Sequence, residues 1–151
     1  SPMFYSVSMT VTGLNFVGVL VATIVSVASG ALWFGPKTFY PIWMKARGIA
    51  SGRLREDHNP AILFGGTFVG VAVQTVTLGL VITSLQSLNP SFTTIDGAGV
   101  GLALGVGIAA FASLSHRLFG GENFKVWIIE TANDAINLTI AGFLIAYFNG
   151  A

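Results

Sequence analysis

The sequence predicts an all-α integral membrane protein: a four-helix bundle with short loops and a basic interfacial segment between helices 1 and 2. Three observations predict it. Only 9% of the residues are charged and 53% are hydrophobic, with a mean hydropathy of +0.77. Soluble domains usually carry about a quarter charged residues, so too few remain here to cover a water-exposed surface. Four apolar stretches are each long enough to cross about 30 Å of hydrocarbon at about 1.5 Å per residue. All seven Lys and Arg fall at one end of those stretches. The 151 residues amount to one transmembrane domain, 1–151.

The first span is expected from about Leu14 to Phe34. No Lys or Arg precedes it and it is too long for a signal-peptide core, so no cleaved targeting segment is expected. The following Pro41–Arg47 stretch reads as an interfacial turn. Ile42 and Trp43 dip into the headgroup boundary, and Lys45 and Arg47 meet lipid phosphates. The second span begins near Pro60, a residue tolerated in a first helical turn, and runs to about Leu85, with Asp57 or Asn59 available as its cap. His58 in the preceding loop is explained by solvation. Asn89-Pro90-Ser91 is a turn that separates it from the third span, about Ile95 to Leu118. The fourth, Phe124 to Phe148, follows the hinge Gly120-Gly121-Glu122-Asn123.

Lys37, Lys45, Arg47, Arg53 and Arg55 lie between spans 1 and 2, and Arg117 and Lys125 flank the link between spans 3 and 4. The positive-inside rule reads that end as cytoplasmic, so both termini are expected to face away from the cytoplasm. Trp33, Trp43 and Trp127 fall near the basic end and Tyr147 and Phe148 at the opposite rim, as interfacial aromatic belts require.

Gly66/Gly70 on span 2 and Gly97/Gly101 and Gly101/Gly105 on span 3 are small residues four apart that let helix backbones approach closely. They either pack the monomer or form a homo-oligomer seam through helices 2 and 3. Gly97-Ala98-Gly99-Val100-Gly101 is not a dinucleotide loop, because it lacks both the GxGxxG spacing and a preceding strand. Asn137-Leu138-Thr139 matches a glycosylation acceptor but lies inside a span. There is no cysteine, hence no disulfide framework and no thiolate zinc site; the two histidines have no metal-ligand spacing, so neither metal nor cofactor is expected. A net charge of +1 offers no basic patch for nucleic acid.

The fourth span carries the chemistry. Glu130, Asn133, Asp134 and Asn137 sit at offsets of zero, three, four and seven, on one side of a helix. Each carboxylate costs about 2.5–3.5 kcal/mol near a bilayer centre, so the stripe must face protein or water rather than lipid. Counted from the basic end, Glu130 lies about a third of the way in, Asp134 near the midplane and Asn137 just beyond. Gln74 of span 2 reaches a similar depth to Asp134. Ser113 of span 3 lies near the level of Glu130, with His116 and Arg117 closer to the interface. Two carboxylates one turn apart in low dielectric are expected to share one proton, giving an acid and a base flanked by orienting amides. The bland alternative is a polar network that fixes helix register, with Glu130 or Asp134 paired to Arg117 or His116.

The first span and its exit, Gly30-Ala-Leu-Trp-Phe-Gly-Pro-Lys-Thr-Phe-Tyr-Pro-Ile-Trp-Met-Lys45, resemble the G-A-L-W-Y-x-P…F-G-K-x-W-M pattern of domain of unknown function family 1761, a group of small four-helix membrane proteins. The opening Leu14-Asn15-Phe16 and the polar-interrupted last helix are also similar. Where that pattern commonly has Gly-Lys before the tryptophan, this chain has Tyr40-Pro41-Ile42. The resemblance implies a fold and carries no chemistry.

Three functions follow from the residues. The first is an enzyme or binding protein for a lipophilic small molecule entering from the lipid bilayer. In it, Glu130 and Asp134 supply acid and base for an isomerisation, cyclisation or epoxide opening, and Asn133, Asn137, Gln74, Ser113 and His116 orient the substrate. The second is proton-coupled transport through an intramembrane carboxylate. The third is an accessory subunit whose polar stripe meets a partner helix.

Overall fold

A computed structural model describes residues 10–48 and 59–151; Arg53, Arg55, Asp57 and His58 lie outside the described residues. The described chain is built of helices, with no strand. They are α1 (Phe16–Trp33), α2 (Tyr40–Arg47), α3 (Pro60–Leu88), α4 (Thr94–Phe119) and α5 (Phe124–Phe148). All but α2 are long and apolar enough to cross a membrane.

Each long helix starts where a side chain can satisfy the free N–H groups of its first turn. Asn15 Oδ1 accepts from Val17 and Gly18 N–H at 2.9 and 3.2 Å, Asn59 from Ala61 at 2.9 Å and Asn123 from Lys125 at 2.9 Å. Thr93 and Asp96 form a reciprocal capping box on α4. Asn89 ends α3, and its side chain accepts from Ser91 N–H at 3.0 Å to turn the chain. α2 has Pro41 in its first turn and stops at Gly48, whose φ of 68° suits glycine.

The last helix is the axis of the bundle. Half of its most apolar window is buried, against 22–33% for the other three long helices, and it touches α1, α3 and α4. Its closest neighbour is α4. A side chain at Gly101 would fall on the Leu138 carbonyl, and one at Gly97 or Gly142 would fall on the facing backbone; one at Gly105 would stand 2.9 Å from Ala135 Cα. Such an approach is open only to glycine and gains dispersion contacts between backbones. These α4 glycines therefore pack within the chain. Gly65, Gly66, Gly70, Gly99 and Gly107 face nothing within 4 Å.

The apolar core joins Leu14, Val19 and Ala22 to Leu78 and Ile82 and to Leu138, Ala141, Ile145 and Ala146. It lies in the half of the bundle away from the lysines and arginines. A network at that end ties three helices. Asn149 Oδ1 accepts from Asn15 N–H at 2.8 Å, and Asn149 Nδ2 donates to Thr83 Oγ1 at 3.0 Å and Gln86 Oε1 at 2.9 Å. The opposite half is looser: every residue of α3 up to Gly70 is exposed, and Thr75 is its first buried residue. There α3 stands off from α1 and α5.

Exposed large apolar side chains cover the outer faces of all four long helices, including Phe16, Ile62, Phe68, Ile95, Ile108 and Ile140. This surface is consistent with lipid contact.

Candidate functional site

The space between α1, the free half of α3 and α5 is a cavity of about 660 Å³, within the range of sites that hold small molecules. Asn133, Asp134 and Asn137 of α5 and Gln74 of α3 form its polar side. Val27, Ala31, Phe34, Phe64 and Leu138 supply apolar wall, and Gly35, Pro36 and Tyr40 line it at the basic end. Its inner end is pinned where the Thr23 and Thr75 hydroxyls meet at 2.6 Å, joining α1 to α3.

The polar groups of this cavity are short of partners. Asn133 is only 6% exposed, and its Oδ1 accepts no hydrogen bond; the buried Oδ1 of Asn137 also has none. Asp134 forms no ion pair or hydrogen bond among the described residues. Nearly all buried polar atoms in folded proteins are satisfied, so two orphaned amide oxygens are unusual; the Asp134 carboxylate beside them is exposed to the open cleft. A bound polar group would remove the deficit.

Glu130, one turn away, has a different environment. Its Oε2 lies 2.6 Å from Arg117 Nη2 and its Oε1 accepts from Trp43 Nε1 at 2.9 Å. Arg117 also approaches Glu122 at 4.0 Å, Arg47 pairs with Glu122 at 3.1 Å, and the Arg47 guanidinium lies 5.1 Å from the Trp43 ring centre. This chain of charges clamps α2 against the α4–α5 turn. Glu130 thus faces the clamp rather than the cavity, because a nearby cation outweighs the company of a second carboxylate in a weakly screened setting.

The structure therefore brings together four of the predicted residues, Gln74, Asn133, Asp134 and Asn137, and separates Glu130, Ser113 and His116 from them. Ser113 donates to the Ala110 carbonyl at 2.8 Å and accepts from Trp127 Nε1 at 3.2 Å, between α4 and α5, and does not line the cavity. His116 is exposed near the end of α4. Sequence reasoning missed Ser26, Phe34, Tyr40, Thr67 and Thr75 as lining residues. A usable signal existed for part of the α1 wall: Ser26 and Gly30 are four apart, small positions on one helical face. The sequence presents Trp43 as an interfacial anchor, and nothing local in it points the side chain at Glu130. Among the described residues no group of three or more His, Cys, Asp or Glu could hold a metal ion.

Residues 17–146 match the family described as "Protein of unknown function (DUF1761)". The chain belongs to that family. No curated protein and no solved structure matches it. Membership in DUF1761 accords with four apolar helices and assigns no reaction.

Proposed function

We propose that this DUF1761 protein is an integral membrane protein that binds a lipophilic small molecule in the cleft between α1, α3 and α5. The polar end of the ligand meets Asn133, Asp134, Asn137 and Gln74, and its apolar body lies along Phe34, Phe64 and Leu138. Asp134 is the group available for acid or base chemistry on the bound molecule, of the cofactor-free isomerase or cyclase kind. Glu130, engaged by Arg117 and Trp43, acts as a positioning residue that holds α5 in register. The observation that carries this reading is the pair of buried, unpartnered amide oxygens beside an unpaired carboxylate in a cavity of ligand size.

The test is recovery of a bound molecule. Protein purified in a neutral glycoside detergent is extracted and its small molecules are identified by mass spectrometry, beside the variant Gly70→Trp. Gly70 lines the cleft and has open space beyond its Cα, so a large side chain fills the site without touching the polar floor. A stoichiometric lipophilic compound is expected with the wild type and not with the variant. Equal recovery from both proteins, or from neither, counts against the cleft as the site.

One observation favours proton-coupled transport as a second reading: Asp134 stands near the middle of a span without an ion pair. Flux into proteoliposomes that follows a pH gradient distinguishes it. In either reading we place the Lys- and Arg-bearing end in the cytoplasm. The chain has no cysteine, so Ser91→Cys and Lys125→Cys report sidedness directly. In intact cells a membrane-impermeant maleimide is expected to label the first and spare the second, and the reverse pattern inverts the topology.

A further inference from the structure

We infer that the cleft selects a lipophilic amine, carried as its ammonium ion, over neutral or anionic molecules of the same apolar body. This rests on the reading of the cleft as a ligand site and adds the chemistry of the head group. Three features converge on it. Asp134 is the sole charged residue among the described lining, and no Lys, Arg or His is among those described residues. The two described arginines are committed elsewhere, Arg117 to Glu130 and Glu122, and Arg47 to Glu122. An anionic head group would therefore meet a carboxylate with no cation in the described lining to offset it, whereas an ammonium supplies the opposite charge.

The second feature is the unmet demand for donors. Asn133 Oδ1 and Asn137 Oδ1 are buried acceptors without a partner, and Asn133 is more than nine-tenths buried. An ammonium has up to three N–H donors and no acceptor, so one head group can serve the carboxylate and both amide oxygens together. A hydroxyl has one donor and leaves two of those acceptors empty. The third feature is aromatic: Phe34, Tyr40 and Phe64 line the same space, and aromatic faces attract cations electrostatically. The apolar remainder of the wall takes the hydrocarbon.

Three probes with one tail and different heads test this: dodecylamine, dodecanol and dodecanoate. Each is titrated against wild type, Asp134→Asn and Gly70→Trp in neutral maltoside micelles, and occupancy is read by native mass spectrometry. Dodecylamine is expected to bind wild type saturably and about tenfold or more tighter than dodecanol, with dodecanoate weakest, the scale of a charged hydrogen bond gained. Asp134→Asn is expected to bring the amine down to the level of the alcohol while leaving the alcohol unchanged. Gly70→Trp is expected to remove both. Equal affinity of wild type for amine and alcohol, or amine binding indifferent to Asp134→Asn, overturns the head-group assignment; loss of both probes in Gly70→Trp then leaves the cleft itself standing. Saturable binding of none of the three overturns the cleft reading as well. If Asp134→Asn does not fold, the amine-to-alcohol ratio in wild type decides alone.

Discussion

The half of the bundle without lysine or arginine is shut by backbone lying on backbone, at Gly97, Gly101 and Gly142, and by the amide network around Asn149. The cation-bearing half is held where Arg47, Glu122, Arg117, Glu130 and Trp43 join α2 to the α4–α5 turn and where Trp33 Nε1 donates to the Ile129 carbonyl at 2.9 Å. The first half of α3, from Pro60 to Gly70, is exposed along its length among the described residues. The two halves use the same residue type to opposite ends. Gly97, Gly101 and Gly105 of α4 disappear into contact with α5, while Gly65, Gly66 and Gly70 of α3 leave open space beside them. Closeness at one end fixes the helices firmly enough for a void to persist at the other, and the polar stripe of α5 runs into that void.

The largest expected difference between the halves is in their tolerance of bulk. Gly101→Val drives a side chain into the Leu138 carbonyl and should cost about 3 kcal/mol or more, at the upper end of overpacking penalties. Gly66→Val meets open space and should stay within about 0.5 kcal/mol of wild type. Unfolding midpoints in detergent compare the two. Similar losses would mean that α3 packs against α1 and α5 along its whole length.

A smaller difference separates the two carboxylates of α5. Glu130→Gln removes a charged partner from Arg117 and should destabilise by about 1–2 kcal/mol, less than a fully buried pair because the Arg117 side chain is 35% exposed. Asp134→Asn breaks nothing in the chain and should change stability by about 0.5 kcal/mol or less. If the order is reversed, the clamp and the cavity have been assigned to the wrong carboxylates.

Much of the fold was legible because long apolar runs and capping residues are local signals. The last helix covers Phe124–Phe148, Asn59, one of two candidate caps, caps α3, and α3 runs past Leu85 to Leu88 because the chain stays helical until Asn89 turns it. The candidate site was legible in part. Spacing brings Asn133, Asp134 and Asn137 to one face, and depth along the span brings Gln74 to their level. What spacing does not contain is competition from outside the helix: Glu130 shares the stripe, yet Arg117 and Trp43 reach it from α4 and α2. Equal depth likewise says nothing of which neighbour a side chain meets: Ser113 is bonded to Ala110 and Trp127 and does not line the cavity.

Between Gly105 and Ala110 the helix α4 opens into π-helical turns. Each residue of an α-helix advances the chain by about 100° around its axis, and a π turn takes in an additional residue without that advance. The two ends of α4 are therefore out of phase. Before the wide turn, Gly97, Gly101 and Gly105 keep a four-residue beat against α5; after it, the helix delivers a long cation, Arg117, toward the same neighbour. Restoring a regular α-helix there would swing the last turns of α4 by roughly a quarter of a revolution. Six residues in the middle of one helix thus set the phase at which its last turn, with Arg117, meets the next helix.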